Sequence, residues 1–235
     1  MNRLGKSLAG AVFVLALPVF LFTANLLWVT LDVATYERAF FGYGAADRTG
    51  FSDDQLRAVA AAFVAHFRDG TPLALTVARG GQAAPMFSER EIVHLRDVHD
   101  LVQFGLRALV AVGAYLALFA AAGARWWRGA YGVRLARHVR GGALLALAVL
   151  FGLAASVAVA FDQLFVLFHV VSFPNDFWLL DPSRHYLINL FSQQFFLDTT
   201  LLVAGMTTAE ALALLAATSA YLWWRAKGGP ADRPR

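Results

Sequence analysis

The sequence predicts an all-α polytopic membrane protein, with four transmembrane helices and a small extracytoplasmic cap between the first two. Three observations carry that expectation. The chain is 59% hydrophobic and 15% charged, with mean hydropathy +0.56, whereas soluble domains hold about a quarter charged residues. Four apolar runs recur, each close to the length of a bilayer crossing. Basic residues collect in short stretches beside those runs, where they report topology. The formal charge of +4 and pI of about 9.8 therefore need no nucleic-acid partner. Cysteine is absent, which excludes disulfides, thiolate metal sites and thioester intermediates.

Residues 1–30 form the first span, TM1, with a cytoplasmic N-terminus. Arg3 and Lys6 precede an apolar run from Leu8 to Val29. That run is longer than a signal-peptide core, and no small-x-small cleavage site follows, so it is read as retained. Pro18 is placed to kink it, which membrane helices tolerate.

Residues 31–100 are a different material, with ten acids and seven arginines, and are expected to form the extracytoplasmic cap. Ser52 and Gln55 make a capping box, followed at helical spacing by Leu56, Val59, Ala60, Phe63 and Phe67 up to Gly70. Leu73, Leu75 and Val77 alternate with smaller residues and give a strand signal before a turn at Gly80-Gly81. A second capping box, Ser88 with Glu91, opens a helix through His94, Asp97 and Asp100.

TM2 is expected over 101–123, with Arg107 near its start. The stretch 124–142 holds five arginines and no acid, so the positive-inside rule makes it a cytoplasmic loop. TM3 follows over 143–161 and TM4 over 199–222, with a basic cytoplasmic tail at 223–235. The cap and the aromatic loop 162–198, with four acids and one arginine, then both face outward.

That aromatic loop concentrates the candidate chemistry. Rings interleaved with His169, Asn175, Asp176, Asp181, Arg184 and His185 suit a pocket for a partly greasy, partly polar molecule. His66 and His138 are expected at the surface. On the helix opened by Ser88, Glu91, His94 and Asp97 share a face, whereas His99 points about 140° away from His94. His94 and His169 should both lie near the outer interface, where a histidine pair can give and take protons near neutral pH. The alternative is that His94 simply pairs with Asp97 while His169 caps a helix. A zinc site built from His94, His169, His185, Asp97, Asp176 and Asp181 lacks any close ligand pair of the HExxH kind. Ser172 and Ser183 lack a nucleophile elbow. Glu210, in the middle of TM4, is a membrane-buried acid and so a further candidate, although proton transport would need more such groups than Arg107 and Glu210.

The motifs SEREIVHLRDV (88–98) and FHVVSFPNDFWLLDP (168–182) together resemble the bacterial lipoprotein intramolecular transacylase family, Lit. With the four-span layout and outer cap, the likeness extends over nearly the whole chain. It implies an enzyme of the bacterial plasma membrane with its active site on the extracytoplasmic side. The reaction moves the sn-2 acyl chain of a diacylglyceryl lipoprotein to the α-amino group of its N-terminal cysteine, leaving a lyso-form lipoprotein. Its partners would be that diacylated lipoprotein and membrane lipids, with neither cofactor nor metal.

The resemblance makes His94 and His169 the catalytic pair. Glu91, Asp97, Phe168, Phe173, Asn175, Asp176, Trp178 and Asp181 are the substrate-binding or orienting candidates around them. The aromatic residues, with Phe177 and Tyr186, would exclude water, and Asp97 and Asp176 would orient the imidazoles. His99, His185 and the Ser192-Gln193-Gln194 segment depart from the family pattern. The competing expectation is a membrane scaffold or lipoprotein-binding protein of the same architecture without catalysis, and behind it a zinc hydrolase.

Overall fold

A computed structural model describes residues 3–79 and 81–228. Gly80 of the expected turn and residues 229–235 of the expected tail lie outside the described residues. In order, the elements are α1 (Arg3–Thr30), α2 (Val33–Gly42), α3 (Ala45–Thr49), α4 (Asp53–Asp69), β1 (Thr76–Arg79), β2 (Gln82–Pro85), α5 (Glu89–Trp127), α6 (Tyr131–Ser172), α7 (Tyr186–Leu190) and α8 (Gln193–Ala226). Among the described residues three helical stretches are long and apolar enough to cross a membrane: Arg3–Thr30, Glu89–Val157 and Gln193–Ala226. The second of these includes α5, the turn at Arg128–Ala130 and most of α6. Arg128 makes that turn with φ of 40°, in the left-handed region.

Helices α5 and α6 reach beyond the apolar runs. The basic stretch 124–142 is therefore helical, without proline, and turns through a short 3-10 segment at Arg128–Ala130 between α5 and α6. Helix α6 is interrupted at Ala160, with φ −146° and ψ 36°, before the segment that bears His169.

The chain divides into two compact units. The first takes residues up to Asn25, Arg107–Ser156 and those from Leu202. In it Phe13, Phe119 and Trp127 form a buried cluster, and His138 stacks on Trp127 with ring centroids 5.5 Å apart. His138 is thus packed among aromatic rings and is not the surface residue the sequence suggested. Its neighbour is Gly10 of α1, where a Cβ would fall 2.4 Å from the imidazole Cε1. Gly142 similarly admits Leu17, which a Cβ would approach to 2.8 Å. Glycine at both positions lets α1 and α6 approach closely, as small residues do between membrane helices. Asn25, buried in α1, donates to Thr207 Oγ1 at 3.1 Å and to Glu210 Oε2 at 2.9 Å, both on α8.

The second unit takes Leu26–Leu106 and Val157–Leu201. Helix α4 begins with the expected capping box: Ser52 Oγ accepts from Gln55 N, and Gln55 Oε1 from Ser52 N. It ends at Gly70, whose φ of 77° needs no Cβ. Its apolar face, Leu56, Val59, Phe63 and Phe67, is buried, with Phe63 packed on Phe40 of α2 and on Phe191. The strand signal proves displaced: β1 starts at Thr76 and pairs antiparallel with β2, from Thr76 opposite Pro85 to Arg79 opposite Gln82. Alternation marked Leu73 and Leu75, yet a ladder extends only as far as its partner strand, which is set by the turn.

The second capping box does more than cap. Glu91 is 1% exposed, and its Oε2 accepts from Ser88 N at 2.7 Å and from Ser88 Oγ at 2.8 Å. Its Oε1 accepts from Leu187 N of α7 at 2.7 Å. One carboxylate thus fixes the start of α5 and anchors α7. Glu91→Ala leaves two backbone N–H groups without their acceptor and should cost about 2–4 kcal/mol. Glu91→Gln, which retains one acceptor oxygen, should lose less. Unfolding of both variants in detergent checks this, and a Glu91→Ala protein as stable as wild type would refute the anchoring role.

Candidate active site

Helices α5 and α6 bring two histidines together. His94 of α5 and His169 near the end of α6 are each 8% exposed, with ring centroids 6.0 Å apart. Both lie outside the apolar runs 101–123 and 143–161. Phe165 (4.3 Å), Trp178 (4.8 Å), Phe168 (5.2 Å) and Phe173 (5.6 Å) surround the His169 ring, and Phe173 meets His94 edge-on at 5.1 Å. Phe168 is half exposed and forms the open side of this ring of aromatics.

Hydrogen bonds separate the two imidazoles. His169 Nδ1 lies 2.7 Å from Phe165 O. A carbonyl oxygen only accepts, so Nδ1 carries the proton and Nε2 holds the lone pair when the ring is neutral. His94 Nδ1 is buried without a hydrogen-bond partner. Burial, then the neighbouring His169, lower the His94 pKa to about 4, against an opposing pull from Asp97. Burial also lowers that of His169, opposed by the Phe165 carbonyl. Both imidazoles are therefore neutral at pH 7, and of the two His169 is the better placed to hold a proton.

The loop after α6 is tied to α5 by polar contacts, and these redistribute the predicted site residues. Asn175 Nδ2 donates to Asp97 Oδ2 at 2.8 Å while its Oδ1 accepts from Phe177 N at 3.0 Å. Asp97 therefore influences His94 through its charge and spends its hydrogen bond on the loop. Asp176 turns outward to an ion pair with Arg90 at 3.3 Å and is remote from the imidazole role expected of it. Asp181 Oδ1 caps Ser183, accepting from its N at 2.9 Å and its Oγ at 2.7 Å, and so serves the local turn. Glu91 belongs to the framework that joins α5 to α7. His185 Nδ1 accepts from Asp181 N at 2.8 Å. His99 Nδ1 donates to His66 O at 2.7 Å, away from the pair. His66 is itself half-buried, with Nδ1 2.9 Å from Thr71 O and Nε2 3.2 Å from Leu95 O, so it too is no simple surface residue. Among the described residues no group of three His, Asp or Glu side chains is arranged to hold a metal ion.

Sequence reasoning missed Arg90. Its guanidinium reaches Asp176 O, donates from Nε to Leu179 O at 3.2 Å, and lies over the Phe177 ring at 5.3 Å. Its place one helical turn before His94 was the available signal. Asn25, the partner of Glu210, was also missed, since nothing in the α1 sequence points toward α8.

Known proteins share this architecture. A family model described as lipoprotein intramolecular transacylase Lit matches residues 11–196. The chain is similar to a solved structure of the membrane-integral lipoprotein intramolecular transacylase Lit from Bacillus cereus, with a TM-score of 0.78 at 14% identity. That match covers 97% of this chain and 100% of the other. A histidine-to-arginine variant of the same Bacillus cereus protein gives a TM-score of 0.71 at 15% identity, covering 94% and 93%. A histidine-to-alanine variant gives 0.72 at 14%, covering 95% and 96%. No curated protein matches the chain.

The buried, neutral His94 makes stability depend on pH. Its folded pKa of about 4 lies below the ordinary 6.5, so the unfolded chain binds more protons between those values. Stability is then fully present above pH 6.5 and falls as pH drops toward 4, by up to about 3 kcal/mol from this group. The melting temperature of His94→Leu should therefore fall less steeply than that of wild type from pH 7 to 4.5. Parallel slopes would show that His94 is not held neutral by burial.

Proposed function

Since the chain belongs to the lipoprotein intramolecular transacylase family, Lit, we propose that it moves the sn-2 acyl chain of a diacylglyceryl lipoprotein to the α-amino group of that lipoprotein's N-terminal cysteine. The carrying observation is the His94–His169 pair, buried in an aromatic surround open at Phe168.

The reaction joins the cysteine nitrogen to the acyl carbonyl carbon and breaks that carbon's bond to the glyceryl oxygen. The attacking amine loses a proton and the departing oxygen gains one, so a base that returns its proton completes the balance. His169 suits that role, with Nε2 free of the Phe165 bond and with the greater tendency of the pair to hold a proton. His94, kept neutral, retains one N–H donor to offer the carbonyl oxygen as negative charge builds there. Donor and acceptor belong to one molecule, so confinement supplies much of the advantage. Trp178, Phe173 and Phe168 keep water from competing for the acyl group.

In this reading α5 and α6 cross the membrane separately, giving four spans with both termini cytoplasmic. The segments 31–100 and 162–198 then lie on the extracytoplasmic side, where the lipidated cysteine is presented.

The test uses a bacterium whose lipoproteins are only diacylglyceryl-modified. Wild type, His94→Ala and His169→Ala are expressed in it, and the N-terminal lipopeptide of one lipoprotein is mapped by tandem mass spectrometry. Wild type should shift one acyl chain to the cysteine nitrogen. Each variant should lower that conversion by about 100-fold or more, the usual worth of a general acid or base. A wild-type strain in which the cysteine amine stays free would overturn the transacylase reading and favour a lipoprotein-binding scaffold.

A further inference from the structure

A second concavity, sharing no lining residue with the histidine pair, opens beside α7. Its volume is about 470 Å³, and its walls are Arg48 of α3, the turn 182–185, and Tyr186 and Asn189 of α7. Its chemistry is cationic and polar. The Arg48 guanidinium donates from Nε to Asn189 O at 2.8 Å and from Nη1 to Tyr43 O. These carbonyls fix the group without neutralising it, and among the described residues no carboxylate lies within ion-pair distance. Arg184 stays 80% exposed and meets Asp181 only at 3.7 Å. Asn189 Nδ2 donates to Pro182 O at 2.6 Å and to His185 O at 3.0 Å, which holds the turn against α7. The Arg48 bond to Asn189 O fastens α3 to the same wall, so the cleft is formed before any ligand arrives.

We propose that this cleft binds the phosphodiester headgroup of an anionic phospholipid. A guanidinium presents planar forks of N–H donors that match phosphate oxygens, and the side chains of both Arg48 and Arg184 line this cleft. The cleft falls within the roughly 300–1,000 Å³ of typical small-molecule sites, room for a headgroup and more than a bare anion fills. Leu179 and Ile188, exposed in the same segment, are suited to the apolar region beneath a headgroup. The proposal does not depend on acyl transfer. It gives the outer segment a lipid-binding site of its own, by the same physics that places basic pockets of membrane proteins on lipid phosphates.

The test is calorimetric titration of the purified full chain in a maltoside detergent. The probes are dihexanoyl phosphatidylglycerol, dihexanoyl phosphatidylcholine and inorganic phosphate. The proteins are wild type, Arg184→Gln and Arg48→Gln. Wild type should bind phosphatidylglycerol saturably, and at least tenfold more tightly than either other probe. Arg184→Gln removes an exposed side chain and should keep the wild-type melting temperature while binding at least tenfold more weakly. Arg48→Gln should weaken binding similarly wherever it melts as wild type does. Absence of saturable binding, or unchanged affinity in Arg184→Gln, overturns the proposal. Equal affinity for phosphatidylcholine removes the role of headgroup charge and overturns it, and equal affinity for inorganic phosphate assigns the cleft to the free ion.

Discussion

The second unit depends on one buried carboxylate. Glu91 accepts from Ser88 and from Leu187, so residues nearly a hundred positions apart are fixed to the same two oxygens. A buried acid is costly unless its acceptor capacity is met, and these partners are all N–H or O–H donors. The consequence is a fixed register. With the first turn of α5 pinned, His94 one turn later has a defined direction, and α7 is held on the same framework. Arg90, the neighbour of Glu91, then fastens the loop that carries Trp178. A single capping box thereby positions both faces of the histidine site.

Dryness is the second constraint, and it explains the state of the imidazoles. Two histidines side by side in water would each titrate near neutrality. With Phe165, Phe173 and Trp178 around His169 and Phe173 against His94, burial discourages both from charging, and each also raises the cost of charging the other. The Phe165 carbonyl breaks the symmetry by holding the His169 Nδ1 proton. The unpartnered Nδ1 of His94 is a buried, unsatisfied polar atom, which folded proteins rarely carry. Such an arrangement loses stability in acid and keeps both imidazoles neutral near pH 7.

The first unit follows membrane logic. Its helices approach at Gly10 and Gly142, and its buried Asn25 is satisfied by Thr207 and Glu210. Glu210 stood out in the sequence as an acid within an apolar run. Its hydrogen bond from Asn25 shows a cross-helix polar contact, which needs no proton pathway to account for it.

By itself the sequence determined what is local. Apolar runs of bilayer length set the long helices, and Ser-x-x-Gln and Ser-x-x-Glu set where α4 and α5 begin. Position near the apolar runs made His94 and His169 a plausible pair, and it was the family resemblance of the two motifs that singled them out. What only the tertiary structure decided is partnership. Asp97 and Asp176 looked equally fit to orient an imidazole, but Asn175 takes one and Arg90 the other. His66 and His138 read as surface residues by their polar neighbours, but packing encloses them in half-buried contacts. The strand at Thr76 began later than its alternation suggested, because pairing belongs to two segments and not to one. Periodicity and capping act over one helical turn and are written in consecutive residues. A hydrogen bond across 78 or 96 positions depends on how helices cross, and no short stretch of sequence encodes that.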